Sequence, residues 1–237
     1  MAEEDGAPQA RSADGATRSG GGEHREQNSV LSGPERKVLD WLIPRMPDWV
    51  TPDLLTGGAL ASMAIAGIAY SQASEHPALL HVVNLCLFIH WLGDSTDGGL
   101  ARFRGKSRPR YGYYVDHMSD AIGAVLIGAG AAVSGIMSPW LAVLIVTLYL
   151  LLAVHSYLST YALGVFHLSY GGVGPTELRL VVALFNLAVL WSPTVSVAGL
   201  DVFTFDLAGG VACVALLAIV ALQVARTTIS LHRMERV

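Results

Sequence analysis

Long apolar runs alternate with short polar connections over most of this chain. Six runs are long enough to cross a bilayer, which takes about 20 helical residues. They cover residues 54–73, 78–101, 112–136, 139–165, 176–193 and 205–229. The second and third runs carry acidic residues at the ends that face each other across one connection. The pattern predicts an all-α integral membrane protein with six transmembrane helices.

Basic residues fall in alternate connections. Lysine and arginine occur before the first run, between the second and third, just after the fourth, and beyond the sixth. The connections near Glu75, Ser138 and Asp201 contain none. Because cytoplasmic loops are enriched in Lys and Arg, six spans place every basic connection in the cytoplasm together with both termini. An odd number of spans would break this pattern.

The residues before the first run divide into two parts. Residues 1–33 are rich in Gly, Ala, Ser, Glu and Arg and lack an apolar signal pattern, so we expect a disordered tail and no cleaved signal peptide. Residues 34–50 mix apolar, charged and aromatic positions, including Trp41 and Trp49. They predict a short amphipathic helix on the cytoplasmic leaflet, with an irregular segment as the alternative. Residues 51–237 form the predicted membrane domain.

Composition agrees with a membrane location. Hydrophobic residues make up 52% of the 237 positions and charged residues 14%, with a mean hydropathy of +0.47. Soluble domains contain roughly a quarter charged residues. Cys86 and Cys213 lie inside apolar runs, far apart in sequence. They indicate neither a disulfide framework nor a cysteine metal site.

Four aspartates stand out between the second and third runs. Asp94, Asp97, Asp116 and Asp120 follow the pattern D-x2-D-G-x2-A-R-x9-G-x3-D-x3-D. Residues three and four apart share a helix face, and the basic connection 103–111 lets the two helices run antiparallel. The two acidic faces can therefore meet. Four converging carboxylates need cations between them, and oxygen ligands favour Mg²⁺, Mn²⁺ or Ca²⁺.

Small residues accompany the carboxylates. Gly98, Ala101 and Gly112 leave space for a bulky group to approach the helix backbone. Arg102 supplies a fixed cation for phosphate oxygens. Metals, a phosphate-binding arginine and a pocket of small residues together indicate diphosphate chemistry.

The run D-S-T-D-G-G-L-A-R at 94–102, followed by G-Y-Y-V-D-H-M-S-D at 112–120, resembles the signature of the CDP-alcohol phosphatidyltransferase family. The resemblance covers roughly residues 50–230. It implies six spans and transfer of a substituted phosphate from a CDP-linked alcohol to a hydroxyl acceptor, with release of CMP. Phospholipid biosynthesis and a homodimer are also implied.

The resemblance implies roles for individual residues. Asp94, Asp97 and Asp116 would bind two divalent ions, Mg²⁺ or Mn²⁺, and Asp120 would complete that site and act as general base. Gly98, Ala101 and Arg102 would hold the CDP moiety. We expect CDP-alcohol and lipid substrates, the bilayer and a second copy of the chain as partners, and no nucleic acid. The active site would face the cytoplasm, at the plasma membrane if the cell is prokaryotic.

Residues outside the motif add further candidates. Pro52-Asp53-x-x-Thr56 resembles the Pro-Asn-x-x-Thr start common in the family, with Asp53 where Asn is usual. Arg179, at the start of the fifth run, is positioned to steady a phosphate. Thr56, Gly112 and Arg179 therefore join the predicted substrate-binding set. His90 and His117 lie beside the aspartates and are either supporting groups or simple neighbours.

One region bears on the substrate. The choline/ethanolamine phosphotransferase branch has similar residues at His155, Thr160-Tyr161-x-x-Gly164 and Thr176-Glu177, together with Asp116-His117. That branch uses a CDP-linked amino alcohol and a diacylglycerol acceptor. The alternative is a CDP-diacylglycerol donor with a small polar acceptor of the glycerol phosphate, serine or inositol phosphate type.

Two other classes compete with this enzyme. A cation transporter would also carry intramembrane carboxylates, but near mid-bilayer and beside broken helices. A membrane phosphatase would need a nucleophilic histidine in a Ser-Gly-His context, which the sequence lacks. The phosphotransferase is the favoured prediction.

Overall fold

The protein is predominantly helical in a computed structural model that describes residues 24–26, 31–163, 165–167, 174–197 and 199–235. The α-helices in these residues are α1 Ser32–Leu42, α2 Pro52–Ser71, α3 Leu79–Phe103, α4 Pro109–Ala132, α5 Pro139–Leu163, α6 Pro175–Trp191 and α7 Thr204–Met234. A 3₁₀ turn, Ile43–Arg45, follows α1. Strands β1 His24–Glu26 and β2 Val165–His167 pair in parallel, and β3 Thr194–Val197 pairs antiparallel with β4 Leu200–Phe203.

Helices α2 to α7 match the six predicted apolar runs, and the prediction of helical structure there is confirmed. Three of them, α2, α5 and α7, are long and apolar enough to cross a membrane by length and composition. Helices α3 and α4 carry the four aspartates, and α6 has 17 residues. That α3, α4 and α6 cross the membrane stays a prediction.

The segment before α2 contains a helix, α1, within the stretch predicted to lie on the membrane surface. Helix α1 begins at Ser32, two residues before the predicted boundary at 34. Val38 and Trp41 of α1 are exposed, as is Trp49 beyond it. A position of this helix on the membrane surface stays a prediction. Of the predicted tail, residues 1–23 and 27–30 lie outside the described part of the chain.

Helix α2 lies at the centre of the helix packing, against α3 and α4. Gly67 of α2 and Gly130 of α4 bring their backbones into direct contact, and a Cβ atom at either would overlap the other helix. Ser62 of α2 donates a 3.1 Å hydrogen bond to the carbonyl oxygen of Cys86 in α3. These contacts set the positions of the two aspartate-bearing helices.

The helices run alternately up and down. Asp206, in the first turn of α7, accepts hydrogen bonds from the backbone N–H (2.7 Å) and hydroxyl (2.5 Å) of Ser138 just before α5. At the opposite end, Thr51 caps α2 by accepting from the Leu54 N–H. Helices α2, α4 and α6 begin, and α3 and α5 end, at this second end. The predicted site residues therefore gather there.

Candidate active site

The last turns of α3 and the first turns of α4 bring the four aspartates together. Asp94, Asp97, Asp116 and Asp120 are all half-buried. Carboxylate oxygens of Asp94 in α3 and Asp120 in α4 lie within 4.8 Å of each other across the two helices. The facing arrangement inferred from helical spacing is therefore present in the structure.

Arg179, in the first turns of α6, lies against this cluster. Its Nη2 donates to Asp94 Oδ2 at 2.6 Å and lies 3.9 Å from Asp120 Oδ1. The Arg179 side chain is 14% exposed. The sequence predicted that Arg179 binds a phosphate. In the structure its guanidinium lies against the carboxylates of Asp94 and Asp120. Because a guanidinium has five N–H donors, these contacts leave donors for a phosphate.

Asp97 is held by groups from two helices. Thr56 Oγ1 of α2 donates to Asp97 Oδ2 at 2.5 Å, and the Gly98 N–H donates to Oδ1. Thr56 was predicted to bind substrate, and in the structure its hydroxyl orients a candidate metal ligand. Helix α2 thus contributes to the site through one side chain.

Two buried histidines flank the carboxylates. His90 Nε2 lies 3.7 Å from Asp120 Oδ1, and His117 Nδ1 lies 3.3 Å from Asp116 Oδ2. The His117 ring lies between Tyr113 and Tyr157, with ring centroids 4.2 and 4.9 Å away. Both histidines therefore lie against the aspartates, and His90 is as close to the site as His117.

The donor set fits a divalent metal. Ligand atoms of His90, Asp94 and Asp120 lie within 4.8 Å of one another. Half-buried carboxylates in mutual contact repel unless cations neutralise them. Oxygen donors with at most one imidazole suit Mg²⁺ or Mn²⁺ better than a soft metal.

The predicted nucleotide-binding residues lie beside this cluster. A Cβ atom at Gly98 would lie 3.4 Å from Arg102 Nη1, so the exposed Arg102 side chain covers Gly98. Gly112 faces open space, and Ala101 is half-buried. Asp53, which replaces the usual family Asn, forms an ion pair with Arg108. This exposed ion pair joins the start of α2 to the residue before α4.

The residues that resemble the choline/ethanolamine phosphotransferase branch lie in different surroundings. Tyr161 is 92% exposed, and Thr160 Oγ1 donates to a carbonyl of its own helix. Gly164 lies outside the described residues. Glu177 accepts the Gly174 N–H at 2.9 Å and the Leu31 N–H at 2.8 Å. Glu177 therefore caps the start of α6 and holds the start of α1.

The sequence analysis missed one acidic residue near the site. Glu35 of α1 accepts hydrogen bonds from Trp91, Ser95 and Thr176. Glu35 lies in a polar stretch about 60 residues before the aspartates, and no local pattern sets it apart. Only the packing of α1 against α3 and α6 identifies it.

Comparisons with known proteins identify a family and several similar proteins. The family model described as CDP-alcohol phosphatidyltransferase matches residues 49–228. The chain is similar to cholinephosphotransferase 1 of Gallus gallus, with 26% identity over 185 residues, 71% of this chain and 54% of that protein. It is 27% identical to cholinephosphotransferase 1 of Danio rerio over 197 residues, 76% of this chain and 50% of that protein. The human cholinephosphotransferase 1 is 26% identical over 185 residues, 71% of this chain and 44% of that protein. The chain spans about half the length of these curated relatives.

Proposed function

The chain belongs to the CDP-alcohol phosphatidyltransferase family, and we propose that it transfers a substituted phosphate from a CDP-linked amino alcohol to the hydroxyl of a diacylglycerol. The reaction releases CMP and yields a phospholipid. The observation that carries this proposal is the contact of Arg179 with Asp94 and Asp120, which lie about one helical turn from Asp97 and Asp116. A cluster of this kind is suited to hold a diphosphate between cations.

Asp120 is the proposed general base. Its carboxylate takes the proton of the acceptor hydroxyl, and the hydroxyl oxygen then forms a bond to the phosphorus that carries the alcohol. The bond between this phosphorus and the bridging oxygen of the diphosphate breaks, and that oxygen leaves with CMP. A half-buried aspartate on a helix face can reach a hydroxyl at hydrogen-bonding distance. His90 Nε2 lies 3.7 Å from Asp120 Oδ1.

Asp94, Asp97, Asp116 and Asp120 are the proposed ligands of two divalent ions, Mg²⁺ or Mn²⁺. When bound, these ions would neutralise the diphosphate and the charge that develops on the leaving CMP. Thr56 holds Asp97 by a hydrogen bond, and His117 Nδ1 lies 3.3 Å from Asp116 Oδ2. The ligand set is thereby preorganised by the side chains around it.

The CDP moiety is proposed to bind beside the aspartates. Gly98, Ala101 and Gly112 provide room for the nucleotide, and Arg102 and Arg179 provide cations for its phosphates. Gly112 supports this assignment because no heavy atom from outside its own helix turn lies within 4 Å of a Cβ built there. Arg179 would turn donors not used by Asp94 toward the phosphate.

We also propose that α2 to α7 all span the bilayer, with the aspartate end in the cytoplasm and α1 on the membrane surface. The distribution of basic residues in the sequence supports this orientation. The homodimer remains a proposal from family resemblance. A cross-link between copies in native membranes would test it.

The donor class is supported by the names of similar proteins. The curated relatives are cholinephosphotransferases. CDP-choline and CDP-ethanolamine are therefore the first donors to test.

A CMP-release assay on purified protein in nanodiscs tests the proposal. The donors are CDP-choline, CDP-ethanolamine and CDP-diacylglycerol, and each is paired with diacylglycerol, glycerol phosphate, serine or inositol phosphate. We expect Mn²⁺- or Mg²⁺-dependent CMP release with a CDP-amino alcohol and diacylglycerol. Release only from CDP-diacylglycerol would support the alternative donor class. Cation flux into proteoliposomes without CMP release from any donor would favour a transporter.

A further inference from the structure

Glu35 of α1 connects three side chains from two other helices. Its Oε1 accepts from Trp91 Nε1 at 2.9 Å and from Ser95 Oγ at 2.8 Å, both in α3. Thr176 Oγ1 of α6 lies 3.1 Å from both Glu35 oxygens. Trp91 and Ser95 are four residues apart and share one face of α3. A single half-buried carboxylate therefore joins α3 to α6.

These partners are immediate neighbours of the candidate active site. Ser95 directly follows Asp94, and Thr176 lies one turn before Arg179 on the same face of α6. Asp94 and Arg179 form the 2.6 Å ion pair across the same two helices. The position of α3 relative to α6 thus determines whether Arg179 reaches Asp94.

The polar contacts between α3 and α6 continue away from the site. Asn186 Nδ2 of α6 donates to Asn84 Oδ1 of α3 at 2.6 Å, and Asn84 Nδ2 donates to the Ala183 carbonyl at 3.2 Å. On the side of the Asp94–Arg179 ion pair that faces α1, the described hydrogen bonds that join α3 to α6 are made through Glu35. Loss of these contacts would free the site end of the interface while the asparagine end stays in place.

Helix α1 has attachments other than Glu35. Glu177 accepts the Leu31 N–H at the start of α1. The Arg104 guanidinium donates to the carbonyls of Met46, Pro47 and Val50 after α1. Substitution of Glu35 therefore leaves the segment fastened at both ends, which separates an effect on the site from detachment of α1.

We infer that Glu35 is a positioning residue of the active site, which sets α3 against α6 so that Asp94 and Arg179 meet in the geometry needed for phosphate transfer. The inference rests on the proposed function in one respect, because its kinetic test measures CMP release. Groups that orient metal ligands change metal affinity or activity by about 10- to 100-fold when they are removed. Glu35 is a group of this kind, because it joins α3, which carries Asp94, to α6, which carries Arg179.

Glu35→Gln is the test variant, because it keeps the size of the side chain but replaces one acceptor oxygen with a donor. Asp40→Asn makes the same change of charge at an exposed position of the same helix and is the matched control. Ser95→Ala and Thr176→Val each remove one donor to Glu35 and provide variants that fold if Glu35→Gln does not. All are measured in nanodiscs for CMP release from CDP-choline, for Mn²⁺ binding without substrate, and for thermal unfolding.

For Glu35→Gln we expect kcat per Mn²⁺-binding chain to fall about tenfold and Mn²⁺ binding to weaken by a similar factor. The KM for CDP-choline, the Mn²⁺ stoichiometry and the melting temperature stay near the wild-type values. Ser95→Ala and Thr176→Val shift kcat in the same direction by less, and each adds little to Glu35→Gln. Asp40→Asn matches wild type in every measurement.

Wild-type kcat and Mn²⁺ affinity in Glu35→Gln would overturn the inference. A lower melting temperature with unchanged kcat per Mn²⁺-binding chain would also overturn it, because Glu35 would then be only a structural anchor. If the wild-type protein releases no CMP from any donor, the proposed function fails. The Mn²⁺ affinity of Glu35→Gln then decides the inference by itself.

Discussion

Arg179→Met removes the cation that lies between two of the aspartates. Arg179 Nη2 is 2.6 Å from Asp94 Oδ2 and 3.9 Å from Asp120 Oδ1, and the Arg179 and Asp94 side chains are 14% and 21% exposed. Removal of one partner of a buried ion pair costs about 3–5 kcal/mol of folding stability. Since both side chains retain some exposure, the lower end, about 3 kcal/mol, is the appropriate magnitude.

This loss converts into a measurable change in melting temperature. For a chain of this size, 1 kcal/mol corresponds to a shift of about 2–4 °C, so Arg179→Met should melt about 6–12 °C below wild type in EDTA. Excess Mn²⁺ supplies another cation to the same carboxylates and should reduce the difference. Intrinsic tryptophan fluorescence in detergent micelles measures both transitions, since the chain has five tryptophans.

Two further variants make the test specific. Arg226→Met removes an exposed arginine from α7 and should melt like wild type. Arg179→Lys keeps the charge but loses the planar fork of donors, so it should fall between wild type and Arg179→Met. A melting temperature of Arg179→Met within about 2 °C of wild type in EDTA would refute the reasoning. A deficit that is unchanged by Mn²⁺ would show that the arginine and the metal do not act on the same carboxylates.

Three other substitutions test the site and the packing that supports it. Asp97→Asn should abolish CMP release and weaken stabilisation by Mn²⁺, because it removes a proposed ligand; full CMP release from this variant would exclude Asp97 as a metal ligand. Asp120→Asn should lose turnover while calorimetry still detects CDP-alcohol binding, and unchanged turnover would exclude it as the base. Gly130→Ala places a Cβ atom against the backbone of α2 and should lower thermal stability by about 1–3 kcal/mol or more. Gly210→Ala, where a Cβ atom meets open space, is its control and should not lower stability; equal melting temperatures for the two variants would contradict the close packing of α2 and α4.

Much of the fold and part of the candidate site could be predicted from local sequence. The six apolar runs predicted α2 to α7 because hydropathy and proline placement act within one segment. The spacing of Asp94, Asp97, Asp116 and Asp120 placed each pair on one helix face, since helical periodicity is a local property. The short connection 103–111 then left antiparallel packing as the simple way to join the two faces.

Contacts between distant segments could not be predicted in this way. Thr56 lies 41 residues before Asp97, and Arg179 lies 85 residues after Asp94, yet each pair is in hydrogen-bond contact. Neither the phosphate role expected for Arg179 nor the substrate role expected for Thr56 indicated these partners. The close approach at Gly67 and Gly130 sets how α2 and α4 cross, and it depends on the shapes of both helix surfaces.

Glu35 marks the limit of sequence reasoning most clearly. The sequence alone predicted a helical membrane protein with an acidic signature suited to metal binding, because composition and helical spacing are properties of short segments. Tertiary structure alone decided that Glu35 joins Ser95 to Thr176 beside Asp94 and Arg179. The physical reason is that a hydrogen bond depends on the distance between atoms in space, and only the packing of α1, α3 and α6 brings these atoms within about 3 Å.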